Sequence, residues 1–160
     1  MPDQLSFSTP LGSISLEGDS DFLHSILFTD AEPVVTNTDN LLLRFAKAQL
    51  LEYFSGVRQT FDLPLYFTGS SFQNKVWMQL QEIPFGETIS YLKLAQNLGD
   101  EKAIRAAATA NSKNPFAIVV PCHRVIGSDG SLTGYAGGLW RKQWLLDHEQ
   151  KVTGKYNRLF

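Results

Sequence analysis

The stretch Ala117-Ile118-Val119-Val120-Pro121-Cys122-His123-Arg124-Val125-Ile126 sets how the rest of the chain is read. Four small or branched apolar residues run into a proline, then into the only cysteine of the protein, a histidine and an arginine, before apolar residues resume. Such a run predicts a buried strand that ends at a functional loop. A lone cysteine is most often an inert, buried small hydrophobe. Here two potential cations follow it directly, and cationic neighbours favour the thiolate, the form that attacks.

Upstream, Ser90 predicts the N-cap of a short helix over Tyr91-Leu92-Lys93-Leu94-Ala95-Gln96-Asn97-Leu98, and Gly99 predicts its stop. Asp100 can cap a second helix from Glu101 to about Asn111, which Asn114-Pro115 breaks. Two short helices joined through a glycine-containing turn read as a helix-turn-helix. The second helix carries Ala103, Ala106, Ala107, Ala108 and Ala110, with Ile104 and Arg105 as its main bulk. Alanine is the best helix former and packs between larger neighbours; it also lets a helix backbone approach a partner closely. With few side chains able to read base edges, DNA binding here is expected to be weakly sequence-specific. Phosphate contacts would carry it, from backbone N–H groups and from Lys93, Lys113 or Arg124.

Downstream, Val125 to Leu132 predicts a hairpin turned at Asp129-Gly130. A glycine-rich loop around Tyr135 follows, then an amphipathic helix through Leu139, Trp140, Trp144, Leu145 and Leu146 that ends near Glu149. The polar tail from Gln150 to Phe160 is expected to be partly disordered.

Toward the N-terminus, Leu5–Phe7, Ile14–Leu16 and Leu23–Phe28 are short apolar segments split by Pro10-Leu11-Gly12 and Glu17-Gly18-Asp19, the pattern of an antiparallel meander. Thr38-Asp39 predicts a helix start, with Leu41, Leu42, Phe45, Ala46, Leu50 and Phe54 on its apolar face and Gly56 as its stop. Phe61 to Phe67 predicts an edge strand because it contains Pro64, and Thr68-Gly69-Ser70-Ser71 a linker. The fold class is therefore α/β (α+β). A small N-terminal α/β lobe with antiparallel strands, residues 1–68, precedes a mainly helical lobe, residues 69–160, that holds the helix-turn-helix and the reactive-cysteine loop.

Charge divides along the same line. Residues 1–69 carry three basic and nine acidic side chains, a net of −6; residues 70–160 carry eleven basic and seven acidic, a net of +4. That asymmetry points to an anionic partner for the second lobe. No stretch approaches the ~20 apolar residues needed to span a bilayer, and Met1-Pro2-Asp3-Gln4 lacks the features of a secretory signal. One cysteine forms no internal disulfide, which suits a reducing, cytoplasmic setting rather than secretion. It also argues against a cysteine-built zinc site, and no metal is expected.

Pro121-Cys122-His123-Arg124-Val125 resembles the reactive-cysteine motif of the O6-alkylguanine-DNA alkyltransferases. The likeness extends through Ile89-Ser90-Tyr91, Arg105-Ala106, Asn114-Pro115, Tyr135-Ala136-Gly137-Gly138 and Trp144-Leu145-Leu146-Asp147-His148-Glu149. It covers about Phe72 to Glu149 and is weak before that. The resemblance implies irreversible transfer of an alkyl group from O6 of guanine to Cys122, one lesion per chain, without a cofactor. The partner it implies is double-stranded DNA entered through the minor groove, with the chain acting as a monomer.

For that chemistry a free thiol of pKa ~8.5 needs a base or a cation nearby. His123 is the natural base and Glu149 the group to orient it. Neighbours in an extended chain point to opposite faces, so either Pro121 sets a turn or a water relays the proton; the resemblance implies the water. Tyr135 is the candidate donor to the leaving base, and Asn114 resembles a hinge tying the helix-turn-helix to the reactive loop. A base inside a duplex must leave the stack to be reached. By resemblance Arg105 fills the gap, Ala106 lies on the same inserted helix, Tyr91 turns the 3′ phosphate, and Ser128 faces the base. Ala117 stands where some relatives have a second proline, and the position of Ala136 varies among them. Two rival readings are a cysteine hydrolase and a DNA-binding regulator. Against the first, no oxyanion loop is evident; against the second, the helix offers few base-reading side chains.

Overall fold

Alternating apolar residues build the first part of the molecule. The computed structural model describes residues 2–154, and the chain forms two compact units, Met1–Phe67 with Pro115–Ala117, and Thr68–Asn114 with Ile118–Phe160. In the first unit, strands β1 (Asp3–Thr9), β2 (Gly12–Gly18) and β3 (Leu23–Thr29) pair as an antiparallel meander in that order. Leu5 faces Leu16, Phe7 faces Ile14 and Leu16 faces Ile26. All five are buried, so one face of the sheet is a continuous apolar layer.

Helix α1 (Leu41–Phe54) covers that layer. Its cap is Asn40, whose side chain accepts from the Leu43 N–H, while Thr38 instead accepts from the Asn40 N–H. The buried face is Leu43, Ala46, Leu50 and Tyr53. Leu41 and Phe45, assigned by spacing to that face, are 65% and 62% exposed. Three consecutive leucines at 41–43 leave the phase of the helix ambiguous, and packing on the sheet selected Leu43.

The segment Phe61–Phe67, expected as an edge strand, is irregular. It touches β3 through a single parallel bridge: the Leu23 N–H donates to the Pro64 carbonyl at 2.8 Å, and the Tyr66 N–H to the Leu23 carbonyl at 2.9 Å. Pro115–Ala117 uses the same device one step along, with Ile26 N–H to the Pro115 carbonyl and Ala117 N–H to the Ile26 carbonyl.

The second unit is mainly helical. Helix α2 (Ser71–Leu80) begins with a reciprocal cap between Ser70 and Gln73 and buries Val76, Trp77 and Leu80. Helix α3 (Tyr91–Asn97), capped by Ser90, turns at Gly99 (φ +88°) into an Asp100-capped 3-10 turn, Glu101–Ala103, and then into α4 (Ile104–Ser112). This is the expected helix-turn-helix. Trp77 fastens α2 to α4 by donating its indole N–H to the Ala110 carbonyl at 2.8 Å.

Two expectations fail here. Ala117–Val120 is a turn rather than a strand, and Ile118 sits at φ +70°. Its apolar, β-branched composition reflects burial, which a strand and a buried turn share. The predicted hairpin is likewise absent. The turn at Asp129-Gly130 forms, but β5 (Val125–Ile126) pairs in parallel with β4 (Ile89–Ser90), a long-range pairing that local alternation does not reveal. Helix α5 (Leu139–Val152) runs past Glu149, and the rest of the expected disordered tail, from residue 155 on, lies outside the described residues. Among those described, no helix is long and apolar enough to cross a membrane.

Candidate active site and nucleic-acid interface

Cys122 opens a 3-10 turn, Cys122–Arg124, set by Pro121. The turn is pinned by Cys122 N–H to the Val120 carbonyl at 2.8 Å and Arg124 N–H to the Pro121 carbonyl at 3.0 Å. Cys122 is only 7% exposed. Burial pushes its thiol above the ordinary value, against a hydrogen bond from Asn114 and the charge of Lys142.

The two presumed cations beside it do not act as such. His123 is fully buried and held below its usual pKa by that burial, against the pull of Glu149, so it is neutral. Its Nε2 lies 2.6 Å from Glu149 Oε2. A carboxylate can only accept, so Nε2 carries the proton and Nδ1 bears the lone pair. Nδ1 is buried without a hydrogen-bond partner.

Arg124, expected to meet a phosphate, is 5% exposed and turned inward. Its Nε and Nη2 bond both oxygens of Glu149 at 2.8 and 3.0 Å, and Nη1 bonds the Ile83 carbonyl at 2.7 Å. Its charge is thus neutralised inside the protein and offers nothing to DNA. Glu149 also accepts the Gly86 N–H at 3.0 Å. Burial alone would raise its pKa, but His123 and Arg124 override it and hold the carboxyl well below the usual carboxylate range.

Asn114 donates to the Val120 carbonyl at 2.7 Å as well as to the thiol, tying the end of α4 to the reactive turn. Tyr135 keeps its hydroxyl buried and without a partner, and burial followed by Cys122 raises it far above an ordinary phenol, so it remains a donor.

On the outer side, Arg105 and Ala106 are exposed on α4. Arg105 and Tyr91 line a cavity of about 320 Å³ with Ile104, Ala108, Thr133 and Gly134. Ser128 is exposed on the turn after β5 and is not part of that lining. Lys93 and Lys113 are exposed.

Two residues escaped the sequence reading. Asn111, 1% exposed, donates to the Cys122 carbonyl at 3.3 Å while its Oδ1 stays buried without a partner. Lys142 is fully buried, and burial lowers it to about 8 although Cys122 pulls the other way. Both were visible as spacing: Asn111 lies three residues before Asn114, and Lys142 shares its helical face with Leu145, Leu146 and Glu149.

The fold and site together define a helix-turn-helix protein with a buried cysteine set against a histidine–carboxylate pair. The chain belongs to the 6-O-methylguanine DNA methyltransferase family, whose DNA-binding domain matches residues 71–151 and whose ribonuclease-like domain matches residues 6–67. It is 45% identical to the methylated-DNA–protein-cysteine methyltransferase of Methanosarcina acetivorans over 89% of this chain and 95% of that one. It is 44% identical to the constitutive enzyme of that name from Bacillus subtilis, over 89% and 92%. In structure it resembles Mycobacterium tuberculosis O6-methylguanine methyltransferase (TM-score 0.85, 38% identity, 94% of both chains). The OGT protein of the same organism in complex with DNA matches equally well (TM-score 0.85, 39% identity, 93% of both chains).

Proposed function

We propose that this protein repairs alkylated DNA by moving the alkyl group from O6 of guanine onto Cys122 Sγ. The observation that carries the mechanism is the His123 ring, fixed by Glu149 through Nε2 and left with a free basic Nδ1 beside a protonated cysteine. His123 takes the thiol proton through a water. As the S–C bond forms, the C–O6 bond breaks and its electron pair stays with the guanine. Tyr135 donates to the departing base, whose ring recovers the proton that the thiol gave up. Asn114 holds the thiol in place and supports the developing thiolate.

The resulting thioether is not reversed, so each chain acts once. No metal or cofactor enters the scheme. The duplex is approached through its minor groove by α4, with Arg105 occupying the gap left by the flipped nucleotide, Ala106 permitting close approach, and Tyr91 turning the phosphate. Ser128 borders the base. The second lobe, residues 69–160, does this work and the first, residues 1–68, stabilises it. The protein acts as a monomer in the cytoplasm, where its thiol stays reduced.

The test is the intact mass after incubation with a duplex bearing one O6-methylguanine. A gain of one CH₂ on Cys122, saturating at one per chain, is expected. A bound but unaltered lesion would reduce the protein to a lesion sensor.

A further inference from the structure

Among the described residues, four buried side-chain polar atoms have no hydrogen-bond partner: Asn74 Oδ1, Asn111 Oδ1, His123 Nδ1 and the Tyr135 hydroxyl. A buried polar group left unpaired costs stability, so each one calls for an explanation. Three of the four belong to residues at the reacting cysteine. His123 follows it in the chain, Tyr135 feels its charge, and Asn111 bonds its carbonyl. The mechanism above uses two of these, Nδ1 to take the thiol proton and the phenol to meet the departing base. Asn111 Oδ1 has no task in it.

What the amide touches fixes its orientation. The Cys122 carbonyl only accepts, so the Asn111 atom 3.3 Å from it is the nitrogen, and Oδ1 is the atom left over. Asn111 is 1% exposed, in the last turn of α4, the helix that carries Arg105 and Ala106 on its exposed side. An acceptor is thus held in a dry place against the residue that takes the alkyl group, and it suits a ligand that brings an N–H. Alkylation at O6 leaves guanine with one such group. N1 has given up its proton, N3 and N7 only accept, and N9 is bonded to the sugar; the exocyclic 2-amino group remains. By the same count O4-alkylthymine has no N–H at all. Neither has O6-alkylhypoxanthine, which is O6-alkylguanine without the amino group.

We infer that Asn111 is a specificity residue whose Oδ1 accepts a hydrogen bond from the 2-amino group of the flipped O6-alkylguanine, so that the protein favours this lesion over alkylated bases that lack the amine. This rests on the alkyl-transfer reading above and names the base that reading serves. With guanine bound, the acceptor and the amine satisfy one another. With a base that lacks the amine, the pocket closes on an acceptor that stays unpaired, and a site built to bond an N–H rejects the analogue without it. A different task for Oδ1, holding the water that carries the thiol proton to His123, would serve every alkyl donor alike. It would give no preference among bases.

The experiment measures single-turnover methyl transfer to Cys122 from duplexes carrying O6-methylguanine, O6-methylhypoxanthine or O4-methylthymine, in wild type and in Asn111→Leu. It is repeated with free O6-benzylguanine and free O6-benzylhypoxanthine, for which no duplex has to open. Wild type is expected to prefer guanine to hypoxanthine by about tenfold or more, and Asn111→Leu to narrow that ratio about tenfold, the upper end for one neutral hydrogen bond. O4-methylthymine should gain on O6-methylguanine by a similar factor in the variant. Wild type that reacts equally fast with both purines would overturn the inference. So would a ratio unchanged in Asn111→Leu, since the amine would then be read elsewhere. Equal slowing with every donor, together with a shifted pH profile of transfer, would overturn it in favour of the water-holding task. Should Asn111→Leu fail to fold, Asn111→Ser, too short to reach the amine, must narrow the same ratio, and an unchanged ratio again overturns the assignment. Wild-type protein that accepts no methyl from any duplex would sink the alkyl-transfer reading itself, a result distinct from any of these.

Discussion

Among the described residues, the first unit buries only two polar side chains, Ser6 and Ser13, beside an otherwise apolar core. The second buries Asn111, His123, Arg124, Arg141, Lys142 and Glu149. Both are folded by the same forces, but the first uses its interior to exclude water from the sheet and α1. The second uses it to hold charges where water cannot screen them. Low dielectric strengthens every satisfied polar bond and penalises every broken one, so substitutions in the two interiors should fail in different ways.

The largest effect is expected at the reacting atom. Cys122→Ser should abolish methyl transfer, with no mass gain after exposure to the lesion duplex, while duplex binding by gel shift persists. Next is Glu149→Gln, which strips a buried cation and a buried imidazole of their common partner. Breaking such a pair costs about 3–5 kcal/mol, and mis-setting the base should slow transfer about 100-fold; denaturant unfolding and single-turnover rates would measure the two. The pH sign also follows. Glu149 has a folded pKa below its unfolded value, so its stabilisation is complete above the ordinary carboxylate pKa of about 4.3 and fades as pH falls through the folded value. Acid unfolding of Glu149→Gln should lack that part of the slope.

In the first unit, Leu16→Ala should cost about 2–5 kcal/mol through transfer loss and a cavity. The surviving folded molecules should nevertheless take up one methyl each at the wild-type rate, which intact mass at low temperature would show. Loss of the reaction at unchanged folded fraction would break the contrast between the units. Arg105→Ala reverses the pattern: stability within about 0.5 kcal/mol of wild type, as for other exposed sites, but slower transfer from duplex and none of that slowing with the free base. Lys142 adds an effect confined to alkaline pH. Its folded pKa of about 8 lies below the unfolded 10.4, so the unfolded chain binds more protons between those values and stability should rise with pH across them. Lys142→Met should flatten that rise in a pH series of urea melts.

Much of the fold was legible because its signals are local. Ser90, Gly99 and Asp100 mark a cap, a stop and a second cap within eleven residues, and the helix-turn-helix follows. The meander shows in the alternation of Leu5 to Ile26. The site was legible as a set of residues and less so as electrostatics. Arg124 reads as a free cation until Glu149, 25 residues later, is known to occupy it. Burial makes His123 a neutral base rather than a neighbouring cation, and the same distant carboxylate fixes which ring nitrogen carries the proton. Ala117–Val120 reads as a strand because its residues favour strands, whereas the left-handed backbone of Ile118 is imposed by what surrounds it. The β4–β5 pairing joins residues 36 apart and leaves no periodic trace.

Glu149 lies in the last helix and receives His123, Arg124 twice and Gly86. A chain cut short at residue 148 would still display the cysteine motif, the helix-turn-helix and the tyrosine loop intact. It would also contain an unneutralised guanidinium sealed in its interior and an imidazole with nothing to orient it. For this protein a late stop codon is therefore as damaging as the loss of the cysteine itself, and a survey that scores genes by the motif alone would count the resulting inert product as functional.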